Sequence, residues 1–190
     1  MMIRIGILGN IGSGKSYVAK NFGYPVFNAD YEVSKLYKKD KKIFKKLKKK
    51  LPKYISSFPI NKNEITKAIL SNKVNLKKII TIVHLEIRKL LKLFLKKNIN
   101  KKVIILDIPL LLENKINNKD DILVFVDSKK IEIEKRLKKR LYFNRKLINK
   151  FKKIQFSSSY KKRRSNFIIK NNFKKKSLNK SIKKILNEIL

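Results

Sequence analysis

The segment from Gly9 to Ser16, here called the glycine loop, constrains the fold of this chain more than any other. It matches the pattern G-x-x-x-x-G-K-S at every fixed position. An apolar run, Met2–Leu8, precedes it and indicates a buried strand, and Tyr17–Phe22 has the apolar spacing of a short helix. A strand, a glycine loop and a helix in this order are the context in which the pattern binds phosphate.

Phosphate binding by such a loop follows from its backbone. Glycines let successive N–H groups point into one concavity, and the helix that follows adds the positive end of its dipole. Lys15 then reaches the β- and γ-phosphates of a nucleotide, and the Ser16 hydroxyl is placed to hold Mg²⁺. An ordinary glycine turn is disfavoured because three of the five glycines of the chain lie in this loop. The predicted ATP-binding residues are Gly9, Asn10, Ile11, Gly12, Ser13, Gly14, Lys15, Ser16 and Tyr17.

Length and composition limit the class of protein. The 190 residues, of which 43% are hydrophobic, suffice for one globular domain or for one domain with an insertion. No apolar run reaches the about 18 residues of a membrane-spanning helix, and the N-terminus lacks a signal-peptide pattern. Cysteine is absent, which excludes disulfides, thiolate metal sites and thiol nucleophiles. We therefore expect a cytoplasmic protein that does not enter a membrane.

The formal net charge of +38 has three interpretations. It is typical of nucleic-acid binding, and it would also help an enzyme to attract polyanionic ligands. It is also what AT-rich codons produce, since Lys, Asn and Ile are all abundant. Only seven of the 51 basic residues are Arg, and the Lys residues are spread over nearly every expected helix. Scattered charge is a weak indication of a nucleic-acid surface, so we favour compositional drift on solvated faces.

Two carboxylates follow expected strands. Pro25–Asp30 is a short strand-like segment that ends in Asp30, and Lys102–Asp107 is a buried-type strand that ends in Asp107. Ligands of open α/β sheets gather at the carboxyl ends of the strands, so both side chains are expected near the glycine loop. Asp30 is equally well explained as the N-cap of a helix that begins at Tyr31. For Asp107, holding Mg²⁺ or its water shell is favoured over capping a short helix.

Between the second and third expected strands the chain has more helix than one crossover needs. Apolar residues recur at helical spacing in three segments, and a loop rich in Pro, Ser and Asn separates the first from the second. We therefore expect an inserted helical subdomain over about residues 35–98. The three helical segments are 31–51, 64–70 and 76–94.

The only histidine, His84, lies on the flank of the apolar face of the longest expected helix. The simplest interpretation is a half-buried helix histidine. Arg88 is one turn later on the same side, so the pair is also placed to face an anion together.

The scarce arginines concentrate after the fourth expected strand, Ile122–Asp127. Arg136 and Arg140 are one turn apart in a helix that we expect Ser128 to cap, and Arg145 follows a break before a second helix. A helix–loop–helix of this kind, here 136–158, is typical of a lid that excludes water and neutralises the transferred phosphoryl group. A solvated basic helix is the alternative.

Five expected strands alternate with helices, the fifth at Asn166–Asn171 before a final helix over 177–190. This alternation predicts an α/β fold with a parallel sheet and right-handed crossovers. Together with the glycine loop it predicts the three-layer P-loop NTPase fold. We expect a five-stranded parallel sheet, a helical substrate-binding insertion and a helical lid.

From Ile3 to about Asn172 the sequence resembles the dephospho-CoA kinase family of P-loop kinases. The core Ile11–Ser16 of the glycine loop is similar to the family's, and Asp107–Glu113 resembles the family's Asp-Val-Pro-Leu-Leu-Phe-Glu. Asn28–Asp30 resembles the family's Asp-Ala-Asp. Further matches are Val83-His84 with Arg88, the lid spacing of Lys135-Arg136, Arg140 and Arg145, Gln155, and Ile169-Lys170-Asn171.

The resemblance implies a kinase that transfers the γ-phosphate of ATP–Mg²⁺ to the 3′-hydroxyl of dephospho-CoA, in the last step of coenzyme A synthesis. It makes Asp30 the expected catalytic base and adds Lys15 and Arg140 as catalytic residues, with Arg136 and Arg145 as further ATP contacts. The acceptor-binding residues that it implies are Asp30, His84, Arg88, Asp107, Pro109 and Leu110. The metal-binding residues that it implies are Ser16 and Asp107. The implied cofactors are ATP and Mg²⁺; we expect a monomer, and no nucleic-acid partner.

Six positions depart from the family's pattern, and two of them, Ser158 for Arg and Lys170 for Asp, concern the nucleotide pocket. Other functions stay open. A kinase of the nucleoside monophosphate type shares the loop and lid, although Asp107–Glu113 argues against it. A nucleic-acid-binding P-loop protein would need a basic patch, and a decayed kinase would be inactive. The remaining departures are Tyr17, Asn28, Leu85 and Leu141.

Overall fold

The computed structural model describes residues 2–139 and 144–190. Five strands within these ranges form one sheet in which every pairing is parallel. The strands are β1 (Ile3–Gly9), β2 (Val26–Asn28), β3 (Val103–Asp107), β4 (Ile122–Asp127) and β5 (Phe167–Lys170), in the spatial order β2-β3-β1-β4-β5. The predicted five-stranded parallel α/β sheet is therefore confirmed.

Helices connect and flank these strands, as the alternating pattern predicts. They are α1 (Lys15–Asn21), α2 (Ala29–Lys39), α3 (Lys41–Lys50), α4 (Lys62–Ser71), α5 (Lys73–Lys97), α6 (Lys130–Lys138), α7 (Arg145–Lys153), α8 (Ser158–Arg163) and α9 (Lys175–Ile189). No described helix combines the length and the apolar character that crossing a membrane requires.

The chain divides into two compact units. The sheet unit takes in the described residues of Met1–Asn28, Asn98–Asn144 and Lys152–Leu190. The helical unit consists of Ala29–Lys97 and Arg145–Phe151.

The sheet unit has an apolar core formed by its strands and two of its helices. Consecutive residues of β1, β3 and β4 are buried because helices cover both faces of a parallel sheet. On one face they pack against α1 and α9. The residues of this core are Ile5, Ile7, Val18, Ala19, Phe22, Val103, Ile105, Val124, Val126, Ile169, Leu178, Ile182 and Ile185.

β1 occupies the centre of the sheet, and this determines where the glycine loop lies. Gly6 pairs with Leu106 of β3 on one side and with Leu123 of β4 on the other. The loop that follows Gly9 therefore leaves the carboxyl edge of the sheet between the ends of β3 and β4. This is the edge at which ligands of open α/β sheets bind.

The helical unit is built around α5, on which α2, α3 and α4 pack. The segment 31–51, predicted as one helix, is two. Asp40 interrupts it because its carboxylate accepts hydrogen bonds from the backbone N–H groups of Lys42 and Ile43, and so caps α3. The sequence pattern missed this break because the apolar spacing continues through it.

Candidate active site

The glycine loop adopts a backbone that only glycine favours at three of its positions. Gly9, Gly12 and Gly14 have φ values of 148°, 87° and 90°. A Cβ atom at Gly12 would lie 2.9 Å from Cγ of Leu137 in α6, and one at Gly14 would lie 2.5 Å from Nδ2 of Asn171. Glycine is therefore needed here for space as well as for conformation.

Ser13 ties the loop to two later segments of the sheet unit. Its carbonyl oxygen accepts hydrogen bonds from Oγ of Ser128 and Nδ2 of Asn171, both at 2.9 Å. The Oγ atom of Ser13 is buried and has no hydrogen-bond partner among the described residues. A buried hydroxyl without a partner is costly, and such atoms occur where a ligand supplies the missing bond.

Ser128 was expected to cap α6, and this prediction is wrong. The N-cap position is Lys129, without a side-chain hydrogen bond, because the Ser128 hydroxyl is used to hold the glycine loop. A serine one residue before a helix predicts a cap by propensity alone, and here a tertiary contact overrides that preference.

Lys15 lies within the curve of the loop. Its Nζ donates hydrogen bonds to the carbonyl oxygens of Gly9 at 3.2 Å and Asn10 at 3.0 Å. Ser16 is exposed in the first turn of α1. Elsewhere in the loop, Oδ1 of Asn10 accepts a hydrogen bond from Oγ of Ser158 at 2.9 Å. The loop thus brings an ammonium group and an exposed hydroxyl together beside an unsatisfied buried hydroxyl.

Asp107 ends β3 and is only 3% exposed. Its Oδ2 accepts a hydrogen bond from Nδ2 of Asn28 at 2.6 Å, across the register pair Asn28 and Asp107. Asn28 stands where the resembled family has Asp, and the amide donates a bond that a second ionised carboxylate could not. Two adjacent carboxylates would instead raise the pKa of one of them.

The segment from Ile108 to Ile116, here called the 108–116 turn, carries the two apolar residues that sequence analysis assigned to the acceptor. Pro109 and Leu110 are half-buried, and Leu110 has a φ of 59°, which is uncommon for a residue other than glycine. The Leu110 carbonyl accepts hydrogen bonds at 3.0 Å from both N and Nδ2 of Asn114. These bonds offset the strain of the left-handed residue.

A buried ion pair joins this turn to α8. Oε1 of Glu113 lies 2.9 Å from Nζ of Lys161, and the two side chains are 8% and 3% exposed. The same Oε1 accepts a hydrogen bond from the backbone N–H of Phe156 at 2.8 Å. The sequence does not reveal the pair, because no local pattern distinguishes Lys161 from the many other lysines, although Glu113 ends the most specific motif after the glycine loop.

The three arginines of the expected lid are in different situations. Arg136 lies in the last turn of α6 with its guanidinium 4.1 Å from the ring centroid of Phe173, a cation–π contact. The Phe173 ring also borders Gly14, since a Cβ there would lie 3.0 Å from Cε1. Arg140 lies outside the described residues. Arg145 begins α7 and is exposed.

The remaining predicted site residues belong to the helical unit. Asp30 is exposed in the first turn of α2, which begins at Ala29, so the alternative in which Asp30 is an N-cap is wrong. His84 is half-buried in α5, and Arg88 is exposed one turn later. Burial, and then the charge of Arg88, lower the pKa of His84 below its usual value. The imidazole is therefore neutral at neutral pH.

The oxygen groups of the sheet unit fit a magnesium ion. Mg²⁺ prefers oxygen ligands, keeps several waters and is commonly held by one or two protein groups plus substrate phosphates. The Ser16 hydroxyl and the Asp107 carboxylate are donors of this kind. No described group of three or more His, Cys, Asp or Glu residues could hold a metal by itself.

Comparisons with known proteins find a matching family and similar structures. The family model for dephospho-CoA kinase matches residues 3–177. A dephospho-CoA kinase of Wolbachia pipientis wMel is 34% identical over 190 residues, which cover 97% of each chain. A Thermus thermophilus crystal structure has a TM-score of 0.80 at 27% identity, covering 100% of this chain and 98% of that one. Dephospho-CoA kinase from Campylobacter jejuni has a TM-score of 0.60 at 20% identity, covering 98% and 96%, a likeness of fold.

Proposed function

The chain belongs to the dephospho-CoA kinase family, and we propose that it transfers the γ-phosphate of ATP to the 3′-hydroxyl of dephospho-CoA. The observation that carries this proposal is the family match over residues 3–177, which includes an intact glycine loop. Neither the nucleoside monophosphate kinase nor the nucleic-acid alternative is favoured by these relatives.

The glycine loop and Lys15 would bind the donor. The loop amides surround the β- and γ-phosphates, and the Lys15 ammonium exchanges its bonds to two loop carbonyls for charge-assisted bonds to phosphate oxygens. The buried Ser13 hydroxyl is a further polar group in this loop. Ser16 and Asp107 would hold Mg²⁺, which when bound offsets the charge of the triphosphate.

The arginines are proposed to complete the donor site. Phosphoryl transfer spreads negative charge over the oxygens of the transferred group, and planar guanidinium groups stabilise that charge. Arg140 is proposed for this role, with Arg136 and Arg145 as further ATP contacts. The segment 136–158 is proposed as the lid that closes over the donor and excludes water.

Asp30 is proposed as the base. Its carboxylate takes the proton of the 3′-hydroxyl while that oxygen forms a bond to the γ-phosphorus, and ADP leaves with the electrons of the broken P–O bond. The position of Asp30 suits this role because it follows the end of β2 by two residues and its carboxylate is exposed.

Each unit has residues of its own that are proposed for the acceptor. Pro109 and Leu110 offer an apolar surface held in a fixed turn, and Asp107 lies just before them. In the helical insertion, residues 35–98, Arg88 supplies the positive charge for an anionic acceptor. His84, being neutral, supplies hydrogen bonds and not charge.

The assignment of the base is tested by Asp30→Asn. We expect coenzyme A formation from ATP and dephospho-CoA to fall by about 10²- to 10⁴-fold, the usual contribution of a positioned base, with ATP affinity nearly unchanged. Glu32→Gln, in the same turn of α2, is the matched control and should keep its activity. An Asp30→Asn protein with nearly full turnover would show that another group removes the proton.

A further inference from the structure

The Glu113–Lys161 pair differs from the other ion pairs of the described residues in the burial of both partners. Both of its side chains are under 10% exposed, whereas each of the other pairs has at least one partner that is 14% exposed or more. Removing two charges from water costs several kcal/mol per ion before their attraction offsets it. Such a pair is weak evidence for stability, and this directs attention to what it positions.

One end of the pair leads to the glycine loop. Through Phe156, Glu113 fixes the backbone just before α8, and through Lys161 it fixes α8 itself. Between these two points lies Ser158, whose hydroxyl donates to Oδ1 of Asn10 at 2.9 Å. The carbonyl oxygen of Asn10 accepts a hydrogen bond from Lys15. α8 also packs on β1, from which the loop begins.

The other end leads to the acceptor side. Glu113 is a member of the 108–116 turn, which is closed by hydrogen bonds from Asn114 to the Leu110 carbonyl and from the N–H of Ile116 to the Leu111 carbonyl. The turn follows directly from Asp107 at the end of β3. Glu113 thus belongs to the segment with Pro109 and Leu110. Its carboxylate also contacts Phe156 and Lys161, on either side of the Ser158 that bonds Asn10.

We propose that the Glu113–Lys161 ion pair fixes the position of the 108–116 turn relative to the glycine loop. The hydrogen bond from Ser158 to Asn10 connects the pair to the loop. The inference rests on the proposed function, in which the turn contacts the acceptor and the loop the donor. Phosphoryl transfer needs its two oxygens in line, and a misplacement of about 1 Å can cost about 10²-fold in rate. Glu113 and Lys161 act through the groups that they hold and do not contact the transferred group.

Three variants test this role. Lys161→Met breaks the pair and leaves a buried carboxylate. Glu113→Leu with Lys161→Met removes both charges, a replacement that often restores stability. Asp121→Asn is the matched control: Asp121 lies 2.9 Å from Nε of Arg4 in the other largely buried pair, near the amino ends of β1 and β4, at the opposite edge of the sheet from the loop.

Turnover and equilibrium affinities for each substrate alone are measured well below the unfolding temperature. We expect Lys161→Met and the double variant to lower kcat by about 10- to 100-fold, with both affinities changed less than about threefold. The double variant recovers stability and not turnover. Asp121→Asn lowers stability and keeps kcat within about twofold, because it is distant from the site.

Recovery of turnover together with stability in the double variant, or an equal loss of kcat in Asp121→Asn, would overturn the proposal. A wild-type protein that forms no coenzyme A would contradict the proposed function instead. Amide hydrogen exchange in residues 9–16 and 108–116 then decides the inference separately. Exchange in both segments must be faster in Lys161→Met than in wild type and unchanged in Asp121→Asn; unchanged exchange in Lys161→Met would overturn the positioning role.

Discussion

Lysines surround both units of this protein, but those near the glycine loop and those of the helical unit differ in their contacts. In the sheet unit the side chain of Lys161 is 3% exposed in its ion pair with Glu113. Lys15 donates hydrogen bonds to two carbonyl oxygens of the glycine loop. In the helical unit the side chains of Lys35 and Lys46 are 48% and 52% exposed in their pairs with Glu32 and Glu86. Exposed ion pairs contribute little to the free energy of unfolding, with a median of about 0–1 kcal/mol per pair.

Lysines with a buried or backbone-bonded ammonium group therefore differ from lysines whose ammonium group is in water. A lysine whose ammonium is buried or bonded to the backbone is held in one conformation. Its replacement should therefore lower activity or stability. A lysine that extends into water can be exchanged for another polar residue at little cost, and composition is free to drift at such positions. Replacement of Lys15 and of Lys150, each with an exposed lysine as control, tests this distinction.

Lys15→Met should have the largest effect. The ammonium is proposed to contact the β- and γ-phosphates, and the loss of such a donor costs about 10²- to 10³-fold in kcat. The measurement is steady-state turnover with ATP and dephospho-CoA. Lys20→Met, at an exposed position of α1, is the control and should retain wild-type turnover. Equal activity of the two variants would remove the distinction between bound and solvated lysines.

Gly14→Ala should destabilise the fold more than Gly23→Ala does. Both glycines have positive φ, 90° and 76°, so both substitutions incur backbone strain. Only at Gly14 does the new Cβ meet a neighbour, Nδ2 of Asn171 at 2.5 Å, whereas Gly23 faces open space. We expect a loss of about 1 kcal/mol at Gly23 and at least about 1 kcal/mol more at Gly14. Urea unfolding measures both, and equal losses would mean that the loop adjusts freely.

Lys150→Met should be the exception within the helical unit. Nζ of Lys150 donates to the carbonyl oxygens of Ile69 and Leu70 at 2.7 and 2.8 Å, at the end of α4, whose last turn contains no basic residue. A cation there satisfies unpaired carbonyls and the helix dipole, worth about 1 kcal/mol. Urea unfolding should show this loss for Lys150→Met and almost none for Lys46→Met. A loss at both positions, or at neither, would contradict the assignment of Lys150 as a cap.

The smallest effect concerns the charge state of His84. Burial, and then Arg88, lower its pKa below 6.5 in the folded protein. The unfolded chain therefore takes up a proton first as the pH falls. The contribution of this shift to the free energy of unfolding is fully present above the unfolded pKa of about 6.5. It is lost as the pH falls through the folded pKa. NMR titration of this single histidine should give a midpoint below 6.5. A midpoint at or above that value would contradict the lowered pKa of His84 in the folded protein.

The sequence predicted the parts of the fold that depend on local pattern. Buried runs gave the five strands, and the glycine loop with its lysine follows from a motif whose geometry is set by its own glycines. The sequence pattern puts Asp30 just beyond β2 and Asp107 at the end of β3, and parallel strands end at one edge of the sheet.

The parts that the sequence did not predict depend on tertiary contacts. Ser128 was assigned to a helix cap and instead holds Ser13. The pairing of Glu113 with Lys161 joins residues far apart in the chain, and no local pattern distinguishes one lysine of 51 basic residues. The short helix α8 was also not predicted, since its six residues have no clear apolar period.

Release of ADP from ATP–Mg²⁺ with different acceptors distinguishes a dephospho-CoA kinase from the other kinases considered. The reaction is run with dephospho-CoA, with AMP, with TMP and with no acceptor, and the product of the first is identified. We expect ADP release that requires dephospho-CoA and yields coenzyme A in equal amount. Release with AMP or TMP alone, or none with any acceptor from a folded protein that binds ATP, would contradict it.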